Sequence, residues 1–257
     1  MLLNYQIHGE GQPLIILHGL FGTLENWGNQ IKALSENHKV IAVDLRNHGR
    51  SFHSNEMNYH LMAVDIKALL SHLKLEKAHI IGHSMGGKVA MQLALNSPDV
   101  IDKLIIVDIA PVEYTPHHND VFKGLFSVDL PSLKSRGDAD KQLTEHIPEL
   151  SVRAFLLKNL YRTDEKLFAW RMNLEAIHSQ YKNISAAPTG TPFDRSMLFI
   201  KGEKSDYMIP AYRDAVINSF PKASYTIIKQ AGHWPHAEKP KEFTDIVVNF
   251  LTKTKSA

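Results

Sequence analysis

Not one cysteine occurs in the 257 residues of this chain. That removes disulfides, thiolate zinc sites and cysteine nucleophiles together, and it fits a cytoplasmic location. Long apolar runs of about eighteen residues, the length a membrane span needs, are missing, and Met1 to His8 has neither the basic nor the apolar stretch of an export signal. Charge of one sign is missing too: the formal net charge is +2 and the basic residues are dispersed, so no nucleic-acid or anionic-membrane footprint is expected. Neither Gly-x-Gly-x-x-Gly nor Gly-x-x-x-x-Gly-Lys-Ser/Thr is present, which argues against a nucleotide-binding turn. What remains, 44% hydrophobic and 22% charged, is a chain able to bury a full core.

Apolar strand-like runs alternate with helix-period segments. Pro13–Leu17, Val40–Val43, Lys77–Ile81 and Leu104–Val107 have the length of buried parallel strands. Between them, Trp27–Leu34 and Ala63–Leu73 carry apolar residues at three-and-four spacing, with Ile66, Leu69, Leu70 and Leu73 on one face. The rhythm predicts a parallel-sheet α/β core covered on both faces. It breaks between Val112 and Gly190, where helical patterns such as Val152–Leu160 and Leu167–Ile177 predict an inserted helical module without buried strands. Pro111 and Pro116 bound it on one side and Ala187-Pro188-Thr189-Gly190-Thr191-Pro192 on the other. The expected division is therefore a core of residues 1–111 and 191–257 around a module of 112–190, closing on a solvated Lys253-Thr254-Lys255-Ser256-Ala257 tail.

Within the core, Gly82-His83-Ser84-Met85-Gly86 follows an apolar run and opens an apolar, Ala-rich helical segment. Strand, serine, helix is the order of a nucleophile elbow, in which small flanking residues let a serine stand exposed on a sharp turn. A serine hydroxyl is almost un-ionised at neutral pH, so Ser84 requires a base, usually an imidazole oriented by a carboxylate. His233, in Gly232-His233-Trp234 just past the last strand run, is placed to reach the same sheet edge. His233 and His236 alone supply two metal ligands and no third, so no metal is expected. Two aspartates meet the chain order Ser, Asp, His: Asp108, directly after Leu104-Ile105-Ile106-Val107, and Asp206, in a charged loop after the next strand. Asp108 emerges from a wholly apolar run, which suits a buried orienting carboxylate; Asp206 stays an alternative. For the oxyanion, the N–H of Met85 and that of Leu20, in Leu17-His18-Gly19-Leu20-Phe21-Gly22, are the expected donors, with His18 bracing the loop.

His18-Gly19, Asp44-Leu45-Arg46-Asn47-His48-Gly49-Arg50-Ser51, Gly82-His83-Ser84-Met85-Gly86-Gly87 and Gly232-His233 together resemble the α/β-hydrolase superfamily across essentially the whole chain. The Asp44–Ser51 stretch and Val107-Asp108-Ile109-Ala110-Pro111-Val112-x-Tyr114 are similar, more narrowly, to the bacterial YbfF-type esterases and their mitochondrial relatives. The resemblance implies a mostly parallel, doubly wound sheet with a helical cap between the sixth and seventh strands, and hydrolysis of short acyl esters, with acyl-CoA thioesters as further substrates. It implies no cofactor and favours Asp108 as the acid. The usual superfamily position for the acid, three residues after the glycine ending strand seven, holds Ser205, which makes Ser205 an auxiliary hydrogen-bond partner. The expected partner is a small-molecule ester or thioester, bound by a monomer. A carbon–carbon bond hydrolase would use the same residues, and a ligand receptor of this fold would carry a broken set.

Overall fold

The structure, a computed structural model, describes residues 1–252; the tail read as solvated lies outside the described residues. The first half runs β1 (Tyr5–His8), β2 (Gln12–Leu17), α1 (Gly28–Leu34), β3 (His38–Val43), α2 (Tyr59–His72), β4 (Ala78–His83), α3 (Met85–Asn96) and β5 (Ile101–Val107). Next come α4 (Asn119–Ser127), α5 (Arg136–Leu143), α6 (Leu150–Leu156), a β6 (Leu160–Arg162) and β7 (Phe168–Trp170) hairpin, α7 (Leu174–Ser179) and α8 (Tyr181–Ser185). The chain ends with β8 (Met197–Gly202), α9 (Arg213–Ser219), β9 (Ala223–Ile228), α10 (Pro235–Glu238) and α11 (Pro240–Thr252).

Seven strands form one sheet in the order β1-β3-β2-β4-β5-β8-β9. Only β1 is antiparallel to its neighbour, and the rest pair in parallel. Successive strand residues point to opposite faces, so Leu14, Ile16, Val40, Ala42, Ile81 and Ile105 meet Trp27, Leu34 of α1, and Phe243 and Val247 of α11. Ile15, Leu17, Ile41, Val43, Ile80 and Leu104 meet Ile66 and Leu69 of α2 and Val89 and Leu93 of α3 on the other face. A sheet covered on both sides has no polar face, which is why these strands read as unbroken apolar runs.

Two expectations about the inserted segment need correction. It lies between the fifth and sixth strands of the sheet, β5 and β8, because this sheet has seven strands and one fewer precedes it. The helix expected over Leu167–Ile177 is instead β7 followed by α7, and the Val152–Leu160 pattern stops being α-helical at Leu156 before entering β6. Aromatic side chains tip this balance. Leu160 pairs with Trp170 and Arg162 with Phe168, and the Arg162 guanidinium sits 4.2 Å over the Phe168 ring, so a cross-strand stack replaces helical packing.

Helix α3 docks hard against the strand ends. A Cβ on Gly86 would lie 2.5 Å from the His18 carbonyl oxygen and 2.6 Å from that of Leu17, and one on Gly82 would lie 2.3 Å from the Gly86 carbonyl oxygen. Gly28, at the start of α1, has ordinary helical dihedrals and nothing within 4 Å of its missing Cβ. Gly86→Ala is therefore expected to cost about 1–3 kcal/mol through backbone overlap, whereas Gly28→Ala is expected to gain about 0.4–1 kcal/mol by restricting the unfolded chain. Denaturant unfolding of the two variants checks this, and equal effects would contradict the docking geometry.

Candidate active site

Two neighbouring parallel strands end in the same unusual way. Ser84 follows β4 with φ 51° and ψ −118°, and Asp108 follows β5 with φ 52°. A positive φ on a non-glycine residue costs on the order of 1–3 kcal/mol, so surrounding bonds must hold it. They do so across the sheet: Ser84 N–H donates to the Val107 carbonyl at 3.0 Å and Asp108 N–H to the Ile200 carbonyl at 2.8 Å. Pairing thus continues into the residues that turn, and both side chains project from the carboxyl edge.

His233, in the loop between β9 and α10, lies between them. Its Nδ1 is 2.8 Å from Asp108 Oδ2 and its Nε2 is 3.0 Å from Ser84 Oγ. A carboxylate only accepts, so Nδ1 carries the proton, and Nε2 is left with a lone pair facing the Ser84 hydroxyl. Asp108 is fully buried, and its other bonds come from Gly202 N–H, at 3.0 Å to Oδ1, and the Ser205 hydroxyl, to Oδ2. Asp206 is exposed, and the structure does not bring it to His233. Its neighbour Ser205 faces inward.

Leu20, in the loop after β2, lines the same cavity as Ser84 and Met85, and the Met85 N–H is the first amide of α3. Neither has a hydrogen-bond partner among the described residues, whereas the next amide, Phe21 N–H, donates to His48 Nε2 at 3.2 Å. The Asp44–Ser51 stretch builds this loop. Buried Asp44 accepts from Leu24 N–H at 2.8 Å and Arg50 N–H at 2.9 Å. His18 braces the loop from within, with Nδ1–H on the Gly19 carbonyl at 2.8 Å and Nε2 accepting from Leu45 N–H at 3.0 Å.

Three contributors have no local sequence signal. His83 Nε2–H donates to the His233 carbonyl at 2.7 Å, fixing the backbone of His233. Tyr207 stacks on the His233 ring at 3.9 Å between centroids, and its hydroxyl lies 2.6 Å from His117 Nε2. Lys88, one turn beyond Ser84, is 2% exposed. Burial lowers its pKa to about 7, against a raising influence from Glu113. Such contacts join residues far apart in the chain, and only the strand-end glycine before Ser205 pointed to that region.

Two spaces share Ser84 in their lining. A groove of about 890 Å³ runs past His233 and Trp234 between the core and Val121, Ile147, Val152 and Phe155 of the inserted segment. A smaller cavity of about 40 Å³ lies among Leu20, Met85, Tyr59, Lys88, Tyr114 and Ile184, and His233 does not line it.

A family model described as the alpha/beta hydrolase fold matches residues 12–240. The chain belongs to the α/β-hydrolase family. Among its relatives, Esterase YbfF of Escherichia coli is 39% identical over 240 residues, covering 93% of this chain and 92% of that protein. The sn-1-specific diacylglycerol lipase ABHD11 of Mus musculus is 38% identical over 247 residues, covering 93% and 80%. A solved marine microorganism esterase superposes on this α/β hydrolase with a TM-score of 0.95 at 38% identity, covering 97% of this chain and 99% of that one.

Much of this hydrolase's histidine is buried in neutral form. Burial pulls His48, His118 and His236 down to about 3, reinforced by nearby histidines, and His83 well below its usual range. Below their ordinary pKa of about 6.5 the unfolded chain binds protons that the folded chain refuses, so stability present above that pH is lost progressively as pH falls toward 3. The urea midpoint is expected to fall markedly between pH 7 and pH 5, and less in His236→Phe, which keeps an aromatic ring against Trp27. A midpoint independent of pH over that interval would contradict it.

Proposed function

We propose that this carboxylic ester hydrolase works through an acyl-enzyme on Ser84, with His233 as proton shuttle and Asp108 as the acid that orients it. The observation that carries this reading is the continuous chain from Ser84 Oγ to His233 at 3.0 Å and from His233 to fully buried Asp108 at 2.8 Å. Ser84 attacks the ester carbonyl as His233 Nε2 takes its proton, and the imidazolium formed is stabilised by the Asp108 carboxylate. The Leu20 and Met85 N–H groups, free of other partners among the described residues, donate to the developing oxyanion. Protonated His233 then returns the proton to the leaving alcohol or thiol, and water repeats the sequence to release the acid. No step draws on a cofactor.

Residues 112–190 act as the cap of this site, a role supported by the inserted side chains that wall the groove over Ser84. The substrates are short acyl esters, with acyl-CoA thioesters as the thioester class, handled in the cytoplasm; the similarity to named esterases supports the ester part of that reading.

Ser84→Ala is expected to abolish ester hydrolysis and fluorophosphonate labelling while leaving the fold intact. Asp108→Asn should lower turnover on the order of 10⁴-fold by disturbing the imidazole tautomer, whereas Asp206→Asn should keep most activity. Steady-state rates on folded variants decide the matter: an inactive Asp206→Asn beside a normal Asp108→Asn would move the acid to the loop after β8.

A further inference from the structure

Lys88 sits where both ends of the inserted segment meet the nucleophile helix. Its ammonium donates to the Val112 carbonyl at 2.7 Å, where the chain leaves the core, and to the Ser185 and Ala186 carbonyls at 3.0 and 2.7 Å, where it returns. All three of its protons are used. No carboxylate pairs with it among the described residues, and its charge is met instead by carbonyl dipoles and by the Tyr114 and Tyr59 rings at 4.6 and 5.5 Å. Tyr114 N–H bonds the Ser185 carbonyl at 2.9 Å, and the Tyr59 hydroxyl donates to the Ile184 carbonyl, so the two stems are also tied to each other and to α2.

The same groups enclose the small cavity of about 40 Å³ beside Ser84. Resting on Ser84 as nucleophile, the two spaces around it can be assigned by where a proton must go. The leaving group has to collect its proton from His233 Nε2, and His233 lines the large groove, so the leaving group lies there. The acyl chain, on the other side of the tetrahedral centre, then enters the small cavity. The cavity is small beside the groove of about 890 Å³, so it suits a short acyl chain rather than a long one.

We infer that Lys88 is a specificity-determining positioning residue: by clamping both stems of the inserted segment to the helix that carries Ser84, it fixes the back wall of the acyl cavity and so sets the longest acyl chain the enzyme accepts. Its side chain touches neither the reacting atoms nor the proton relay. Loss of the clamp leaves three carbonyls, that of Ser185 buried, without their shared donor and lets the stems retreat, which enlarges the cavity without altering the Ser84–His233–Asp108 geometry.

The test is the acyl-length profile of Lys88→Met against the parent enzyme on p-nitrophenyl acetate, butyrate and octanoate, with kcat and KM resolved. A buried charge-assisted contact and a misfitted methylene each correspond to about 10-fold or more, so KM for acetate is expected to rise ~10-fold with kcat within ~3-fold, and the octanoate-to-acetate ratio of kcat/KM to rise ~10-fold. An unchanged ratio, or an equal fall in kcat for all three esters, overturns the inference. Should Lys88→Met fail to fold, Tyr59→Phe, which removes only the donor to Ile184, is expected to raise the same ratio about 3-fold, and an unchanged ratio there overturns it equally. Fluorophosphonate labelling of the parent protein separates the two levels, since absence of label on Ser84 would sink the proposed nucleophile rather than the clamp.

Discussion

The structure depends on one constraint: β4 and β5, neighbours in a parallel sheet, must both turn sharply at the same edge while keeping their pairing. Ser84 and Asp108 take positive φ values of 51° and 52°, and each is held by its own N–H donating a hydrogen bond to a carbonyl of the next strand along, that of Val107 and that of Ile200. Because the strands are adjacent and parallel, the two side chains emerge at fixed separation, and a single imidazole from the next-to-last loop spans them. The strain at the two turns is met by the buried central strands of the sheet, where β4 and the C-terminal half of β5 are shielded from water.

From that edge the rest of the site follows as support for a small number of directions. Buried Asp44, His18 and His48 fix the loop that aims the Leu20 amide, and His83 grips the His233 backbone. Tyr207 covers one face of the His233 ring and links it through its hydroxyl to His117 in the inserted segment. With the surrounding imidazoles held neutral by burial, the proposed mechanism places its transient positive charge on His233 alone. The cost is sensitivity to acid, since each buried neutral histidine favours the unfolded chain once protons are available.

The core of the fold was legible because unbroken apolar runs alternating with helix-period segments have few solutions other than a doubly wound sheet. Ser84 was legible for a local reason: Gly82 and Gly86 are demanded by backbone contacts within a few residues or on the neighbouring strand. His233 and Asp108 could be located only to strand ends, and burial of Asp108 against exposure of Asp206 is a tertiary fact. Lys88 and Tyr207 were illegible because their partners, Val112, Ser185, Ala186 and His117, lie 24 to 98 residues away in the chain. The β6–β7 hairpin was misread as helix, since three-residue strands carry too little alternation to outweigh a helical pattern; the Arg162–Phe168 stack that decides it exists only after folding.

In the proposed mechanism an ester carbonyl reacts at Ser84 with its oxygen between the Leu20 and Met85 amides. A crystal structure of the enzyme inhibited by a small alkyl phosphonate measures this directly, because the tetrahedral phosphorus mimics the intermediate. Phosphorus bonded to Ser84 Oγ, with the phosphoryl oxygen about 3 Å from the Leu20 and Met85 nitrogens, is the expected outcome. Phosphorus on another side chain, or a phosphoryl oxygen turned away from both amides, would contradict it.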